Sequence, residues 1–241
     1  MLKVRASALG QIMARPQSID PAFLVGSVAE VAKKRTKTDD DKALLEPYYN
    51  ASLSAGAKTF VKKQIARHLF GHNPEISTRY MEKGHAVEDE SIELYNSVRF
   101  ESASKNEERR ENEWIGGTCD IDLGDKIVDI KSAWSLDTFP IFAEDAHDSG
   151  YEWQLRAYMM LWDRPKAELA FCMVDTPDYL IGYESEELHI VGHIDPFRRV
   201  TIVEYERDLA LEELIKVKVT ACQKYYAELA NRLGLALAGA A

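Results

Sequence analysis

The sequence is poor in cysteine, in net positive charge and in long apolar runs, and each shortage removes a class of protein. Three cysteines in 241 residues, Cys119, Cys172 and Cys222, stand far apart. Their odd number and wide spacing argue against a disulfide framework and offer no zinc pair, so each is expected to be a small buried hydrophobe. No stretch approaches the roughly 18 apolar residues of a membrane span. The opening "MLKVRASALGQIMARP" carries charge and lacks the apolar core of a signal peptide, so a cytoplasmic protein is expected. A formal net charge of -10 argues against a general polyanion binder. Basic residues gather locally instead, in "KKRTK" (33–37) and "KTFVKKQIARH" (58–68), and such runs are more often solvated faces than nucleic-acid contacts.

Internal repeats and dividing linkers are also missing. With 46% hydrophobic and 29% charged residues, the chain suits one globular domain over 1–241 with a sizeable core. Patterning predicts a short helix over 5–14, an irregular stretch with a mobile loop at about 33–45, and helices over 54–70 and 75–98. Strands follow at about 114–122 and 126–133, joined by a tight Leu-Gly-Asp turn. A helix over 150–163 precedes three strand-like runs, "AELAFCMV", "YLIGYES" and "RVTIVEYER". A long helix over 208–233 leads into an Ala/Gly tail that should fray from about 234 to 241. This order describes an α/β (α+β) protein with a central mixed β-sheet flanked by helices.

The strand pair contains the sequence's main anomaly. "GGTCDIDLGDKIVDIKSAW" (116–134) sets four aspartates, and Lys131 after the last of them, into strand-like surroundings, where aspartate is usually avoided. Alternation puts Asp120 and Asp122 on one side of the first strand, with Cys119 and Ile121 on the other. On the second strand Asp129 and Lys131 share a side with Ile127, opposite Val128 and Ile130. Antiparallel pairing then brings Asp120 and Asp129 together, with Lys131 beside them. Two carboxylates that close repel unless a cation lies between them. Hard oxygen ligands on a stiff frame suit Mg²⁺ or Mn²⁺. Asp122 and Asp125 flank the turn and are explained well enough as solvated charge.

Two helices add polar groups in core-like positions. On a continuous helix from Met81, the apolar residues Val87, Ile92, Leu94, Tyr95 and Val98 fall in one arc, and Glu88 falls inside it. A buried glutamate needs a partner. Gly84, one turn earlier, would admit the close approach of a backbone or ligand. In "YEWQLRAYMMLW", Gln154 and Tyr158 share a face beside the stripe of Leu155, Met159 and Trp162.

Taken together, Gly84-x-x-x-Glu88, Gly117-Thr-x-Asp120, Asp129-Ile-Lys131 and Gln154-x-x-x-Tyr158 resemble the PD-(D/E)xK nuclease superfamily, and within it the phage lambda exonuclease/YqaJ and RecB-like branch. The motifs cover residues 84–158 in the family's order, and "ASALGQIMA" resembles the segment that opens lambda-type members. The resemblance implies a restriction-endonuclease-like core and metal-dependent hydrolysis of DNA phosphodiesters. It implies that Asp120, Asp129 and the Ile130 carbonyl bind the metal, and that Glu88 contributes directly or through water. Lys131 would orient the attacking water and steady the transition state. Gln154 and Tyr158 would position these groups and the substrate backbone. Lambda-type members hold a 5′-phosphate with an arginine upstream of the N-terminal serine. Here Arg5, Ser7 and Arg15 are the candidates, with a lysine from 58–63 as a further substitute. The cysteines do not supply the four-cysteine iron–sulfur cluster of some RecB-like relatives.

The resemblance implies double-stranded DNA with free ends as substrate, with a homo-oligomeric ring and a single-strand annealing protein as partners in phage-type recombination. An endonuclease of restriction or junction-resolving type would use the same core. A catalytically inactive DNA-binding module is the third reading, and the intact Asp120, Asp129 and Lys131 set counts against it. Two other features have ordinary explanations. His189 and His193 in "HIVGH" are expected to be surface residues, and Phe139 and Phe142 to pack against the core.

Overall fold

A computed structural model describes residues 2–72 and 77–235. In chain order the strands are β1 (Val4–Arg5), β2 (Arg110–Glu111), β3 (Ile115–Gly117), β4 (Ile121–Asp122), β5 (Lys126–Ser132), β6 (Lys166–Cys172) and β7 (Val200–Glu206). The helices are α1 (Gly10–Met13), α2 (Gly26–Lys33), α3 (Asp39–Ala51), α4 (Ala55–Phe70), α5 (Arg79–Ala86), α6 (Glu88–Arg99), α7 (Ser149–Trp162), α8 (Asp178–Ile181) and α9 (Leu209–Arg232). These elements fall into two compact units. Met1–Asn73, Glu111–Gly116 and Asp208–Ala241 make the first, and Pro74–Arg110 with Gly117–Arg207 the second. Among the described residues, no helix is long and apolar enough to cross a membrane.

The first unit is mainly helical. Helix α4 starts where Ser54 Oγ accepts the Ala57 N–H at 3.1 Å and stops at Gly71, whose φ of 60° suits glycine. Its buried residues Ala57, Val61 and Ile65 pack toward Ile215, Val219 and Cys222 of α9. Lys218 of α9 is buried as well, and its ammonium donates to the carbonyls of Tyr49 (3.2 Å) and Ser52 (2.8 Å). The loop expected over 33–45 is helical from Asp39 onward. Thr38 Oγ1 accepts the Asp41 N–H while the Asp41 carboxylate accepts the Thr38 N–H, so the acidic run starts a helix. The helix expected over 5–14 is divided into β1, a 3-10 turn at Ala6–Ala8 and α1, because Val4 and Arg5 pair in parallel with Ile115 and Gly116. The tail expected to fray lies outside the described residues from 236 onward.

The second unit is built on a four-stranded mixed sheet in the order β4-β5-β6-β7. Strand β5 pairs antiparallel with β4 and parallel with β6, and β6 pairs antiparallel with β7. A parallel pair needs a crossover, and α7 supplies it. On one face Ile121, Val128, Ile130, Ala170 and Cys172 form a core with Val87, Ile92, Leu94 and Tyr95 from the α6 side. Alternation turns Ile127 and Asp129 to the other face, toward α7. All three cysteines are buried. The central sheet with flanking helices agrees with the fold class read from the sequence.

Three expected elements differ. The helix expected over 75–98 breaks at Val87 (φ −118°, ψ 22°) into α5 and α6, and its first two residues lie outside the described chain. Glu88 thereby opens a new helix, where its charge suits the helix dipole. The apolar arc drawn through Met81 does not persist across the break, and Met81 is half exposed. The strand expected over 114–122 is two short strands, β3 and β4, separated by 118–120. "YLIGYES" is not a strand. Leu180 and Ile181 are both buried although adjacent, which suits the turn of helix α8, and Gly182 with φ 66° ends it.

Candidate active site

The β4–β5 register places Ile121 opposite Val128 and Asp122 opposite Ile127. One step further along the same register sets Asp120 against Asp129. The connection is direct: Asp120 Oδ2 accepts the Ile130 N–H at 2.7 Å. Asp129 is fully buried. Its Oδ1 accepts a hydrogen bond from Gln154 Nε2 at 3.0 Å, and the same amide nitrogen donates to Tyr158 OH at 3.1 Å. Lys131 Nζ stands 2.5 Å from Asp129 Oδ2 and 4.8 Å from the centre of the Tyr151 ring. Asp129 Oδ2 is thus a buried oxygen whose one close neighbour of opposite charge is the Lys131 ammonium.

The electrostatics follow from crowded carboxylates in a dry place. Burial raises the Asp120 pKa to about 7, and the Asp129 charge adds to this, with Glu88 a smaller contributor. Lys131 and the Ile130 amide pull the other way without cancelling the rise. For Lys131, burial acts against the charged form, but Asp129 and Asp120 outweigh it and hold the ammonium protonated above the ordinary lysine range. Burial, with Asp129 nearby, likewise raises the Tyr158 phenol. The site therefore sets two buried carboxylates against one ammonium, an excess of negative charge that a hard divalent cation satisfies.

Glu88 is placed differently from its expected position. Its side chain is one-fifth exposed and lies 2.6 Å from Lys105 Nζ. Among the described residues no three His, Cys, Asp or Glu side chains are gathered closely enough to hold a metal together. Helix α6 covers the Val128 and Ile130 face, where Ser91 also meets Ser132 at 2.8 Å, whereas Asp129 looks toward α7. Gly84 is open on its outer side, with no protein atom within 4 Å of where a Cβ would stand, so no backbone makes the close approach expected there.

Other sequence expectations are placed as follows. Asp122 forms a two-pronged pair with Arg164 at 2.8 and 2.9 Å and is a structural group at the turn. Arg5 and Ser7 are exposed in the first unit; Arg15 there pairs with Glu46 at 2.5 Å and lies 4.4 Å over Tyr49. His193 is exposed, but His189 is fully buried, because Thr176 and Glu184 satisfy its two ring nitrogens at 3.0 and 3.1 Å. Phe139 packs with Ala133, Met173 and Val191, while Phe142 stays exposed.

Three residues near the site escaped the sequence reading. Lys83 of α5 is completely buried, and its ammonium donates to the carbonyls of Ala133 (2.7 Å), Trp134 (3.0 Å) and Val174 (3.0 Å). Burial lowers its pKa to about 8 against the pull of Asp175. Asn106 ties its segment to the connection just before β4, with its N–H on the Asp120 carbonyl at 2.7 Å and its side chain on the Cys119 carbonyl at 3.0 Å. Lys105 precedes it. Its only sequence signal was a charged run that reads as solvated surface.

The chain is similar to a solved phage-related exonuclease from Haemophilus somnus 129PT, with 34% identity, a TM-score of 0.79 and 96% of each chain covered. The chain belongs to the lambda-type exonuclease branch of the PD-(D/E)xK nucleases. The alkaline exonuclease LHK-Exo from Laribacter hongkongensis shares the fold at 16% identity and a TM-score of 0.60, over 96% of this chain and 91% of that one. LHK-Exo in complex with dAMP gives 18% identity and a TM-score of 0.55, over 96% and 93%. No family model and no curated protein matches the chain.

Proposed function

We propose that the protein is a Mg²⁺- or Mn²⁺-dependent DNA exonuclease that hydrolyses phosphodiester bonds from the ends of duplex DNA. The observation that carries this reading is the joined set of Asp120, Asp129 and Lys131, with Gln154 fixing Asp129 from behind. Membership of the exonuclease branch supports it, as does the fold shared with LHK-Exo, which has been solved with a mononucleotide.

A divalent ion held by Asp120, Asp129 and the Ile130 carbonyl would supply charge for the phosphate and lower the pKa of water. The protein's own groups do the rest. Gln154 holds Asp129 in one rotamer so that its second oxygen faces the reaction. Lys131, kept protonated by the two aspartates, serves as a fixed positive charge that orients the attacking water and steadies the negative charge on the transferring phosphoryl group. It is not a proton acceptor at neutral pH. Tyr158 is a hydrogen-bond acceptor for Gln154 and supports the orientation of Asp129 through it.

The reading extends to recombination in a bacterial or phage-infected cytoplasm, to a ring of identical subunits and to a single-strand annealing partner. Arg5, Ser7 and Arg15 are proposed to meet the DNA end. The deciding experiment is digestion of end-labelled linear duplex and of nicked circular DNA, with Mg²⁺ and with chelator. Metal-dependent release of mononucleotides from linear ends supports an exonuclease. Internal cuts in closed DNA would make it an endonuclease, and the absence of hydrolysis in both would overturn the proposal.

A further inference from the structure

Among the described residues the three carboxylates expected at the metal are not gathered together, and Glu88 has a cation of the protein as its partner instead. Glu88 is held by Lys105, whose Nζ is 2.6 Å from Glu88 Oε2. Lys105 is not placed by chance. The next residue, Asn106, is fastened to the Asp120-bearing segment by two backbone-directed bonds, from its N–H to the Asp120 carbonyl at 2.7 Å and from its amide to the Cys119 carbonyl at 3.0 Å. Its amide oxygen also accepts the Glu108 N–H at 3.2 Å, and before Lys105 the Ala103 N–H and carbonyl are bonded to the Asn96 amide at 3.0 and 2.9 Å, so the segment is held on both sides of Lys105. The charges of Asp89 and Asp120 act on Lys105 in addition to Glu88.

An ammonium clamped beside Glu88 and within the field of Asp120 does part of the work of a cation. Both neutralise the same carboxylates, so they compete for them. We propose that Lys105 is a positioning residue that occupies Glu88 in the metal-free enzyme and gives it up when a divalent cation binds, so that it sets the metal affinity of the site. The inference rests on the proposed metal-dependent function and deepens it. Glu88 then has two partners in alternation, Lys105 without metal and the metal, directly or through water, when it is bound. Without Lys105, the metal-free site has uncompensated negative charge. The site then gains more on taking up a dication.

The consequence is opposite in sign to that of an ordinary structural ion pair. Removing the lysine should make the cation bind more tightly, because the competitor is lost and a repelling charge is taken away. A unit charge a few ångströms from a dication, at an effective dielectric constant of about 20, is ample for a tenfold change. A distant surface lysine would alter affinity slightly and would do so whether or not Glu88 were present.

The test is calorimetric titration of Mg²⁺ into the intact protein, together with thermal melts in chelator, for wild type, Lys105→Gln, Lys105→Arg, Glu88→Gln and the double variant. Lys105→Gln is expected to bind Mg²⁺ about tenfold more tightly or better and to melt lower than wild type in chelator, whereas Lys105→Arg keeps the wild-type affinity. In the Glu88→Gln background, Lys105→Gln should change Mg²⁺ affinity less than threefold. Equal or weaker Mg²⁺ binding by Lys105→Gln, in a wild-type protein that does bind Mg²⁺, overturns the inference and leaves the proposed function standing. A full tightening that persists without Glu88 also overturns it, since the lysine would then act only as a general charge. A wild-type protein that binds no Mg²⁺ overturns the proposed function, and this inference with it.

Discussion

Gln154 Nε2 stands 3.0 Å from Asp129 Oδ1 and leaves the second carboxylate oxygen to Lys131. The division of one carboxylate between a neutral amide and an ammonium fixes the rotamer of a fully buried aspartate. Gln154→Leu keeps the size of the side chain and removes the donor. Metal affinity or turnover should fall by about 10- to 100-fold, the usual cost of losing a partner that orients a ligand. Tyr158→Phe deletes only an acceptor for Gln154 and should cost much less. Mg²⁺ titration and cleavage of labelled duplex measure both.

Lys131→Ala should slow hydrolysis by about 100-fold or more while the protein stays folded, because its proposed role is to hold charge at the reaction and not to fill the core. A folded Lys131→Ala protein with normal cleavage would take the chemistry away from β5.

Two aspartates only two positions apart should behave differently. Asp120→Asn should weaken Mg²⁺ binding strongly. Asp122→Asn should leave it nearly unchanged and instead loosen the turn, by about 1 kcal/mol or less, through loss of the Arg164 pair. Chemical denaturation beside metal titration separates the two outcomes, and equal metal loss at both positions would contradict the register argument.

The pH dependence follows from Asp120. Burial and Asp129 raise its folded pKa to about 7, above an unfolded value of about 4. Folding therefore takes up a proton between those values. The stability this carboxyl contributes is present at acid pH and is lost as pH rises through about 7. In chelator, wild type should lose stability relative to Asp120→Asn as pH climbs from about 4 to 7, and saturating Mg²⁺ should abolish the trend for wild type. Melts of both proteins across that range decide it.

The far side of β6 makes a prediction about stability alone. Glu168 is buried and accepts from Tyr95 OH (2.7 Å), Arg99 (2.7 Å) and Lys126 (2.8 Å). Glu168→Gln removes the one anion that these cations share within the sheet and should cost about 3 kcal/mol. Denaturant titration would show a lower midpoint with an unchanged slope.

What could be read from the sequence depended on whether a local rule had a unique outcome. The β4–β5 pairing could be read because a tight turn and two-residue alternation fix which aspartates meet. Gln154 and Tyr158 could be read because four-residue spacing puts them on one helix face. The break at Val87 could not, since valine is no helix breaker and Lys83 keeps its carbonyl bonded to the Val87 N–H across the kink. Lys83 and Lys105 were hidden by their own charge: a lysine on a helix or in an acidic run reads as solvated, and only tertiary carbonyls or a distant glutamate reveal otherwise. His189 was missed for the same reason, its partners lying at positions 176 and 184.

Lys83 ties together chain segments that sequence order keeps far apart. The two carbonyls that follow β5 and the one that follows β6 converge on a single ammonium delivered by α5. A slip of either strand by one residue would turn a carbonyl away and leave a dehydrated cation underbonded. The parallel β5–β6 pairing is non-local and inherently slow to find. The lysine favours the native register: its charge is fully satisfied only where both strand ends present these carbonyls to α5. The register of the strand that bears Asp129 and Lys131 is thus coupled to the docking of α5, the helix that also bears Gly84.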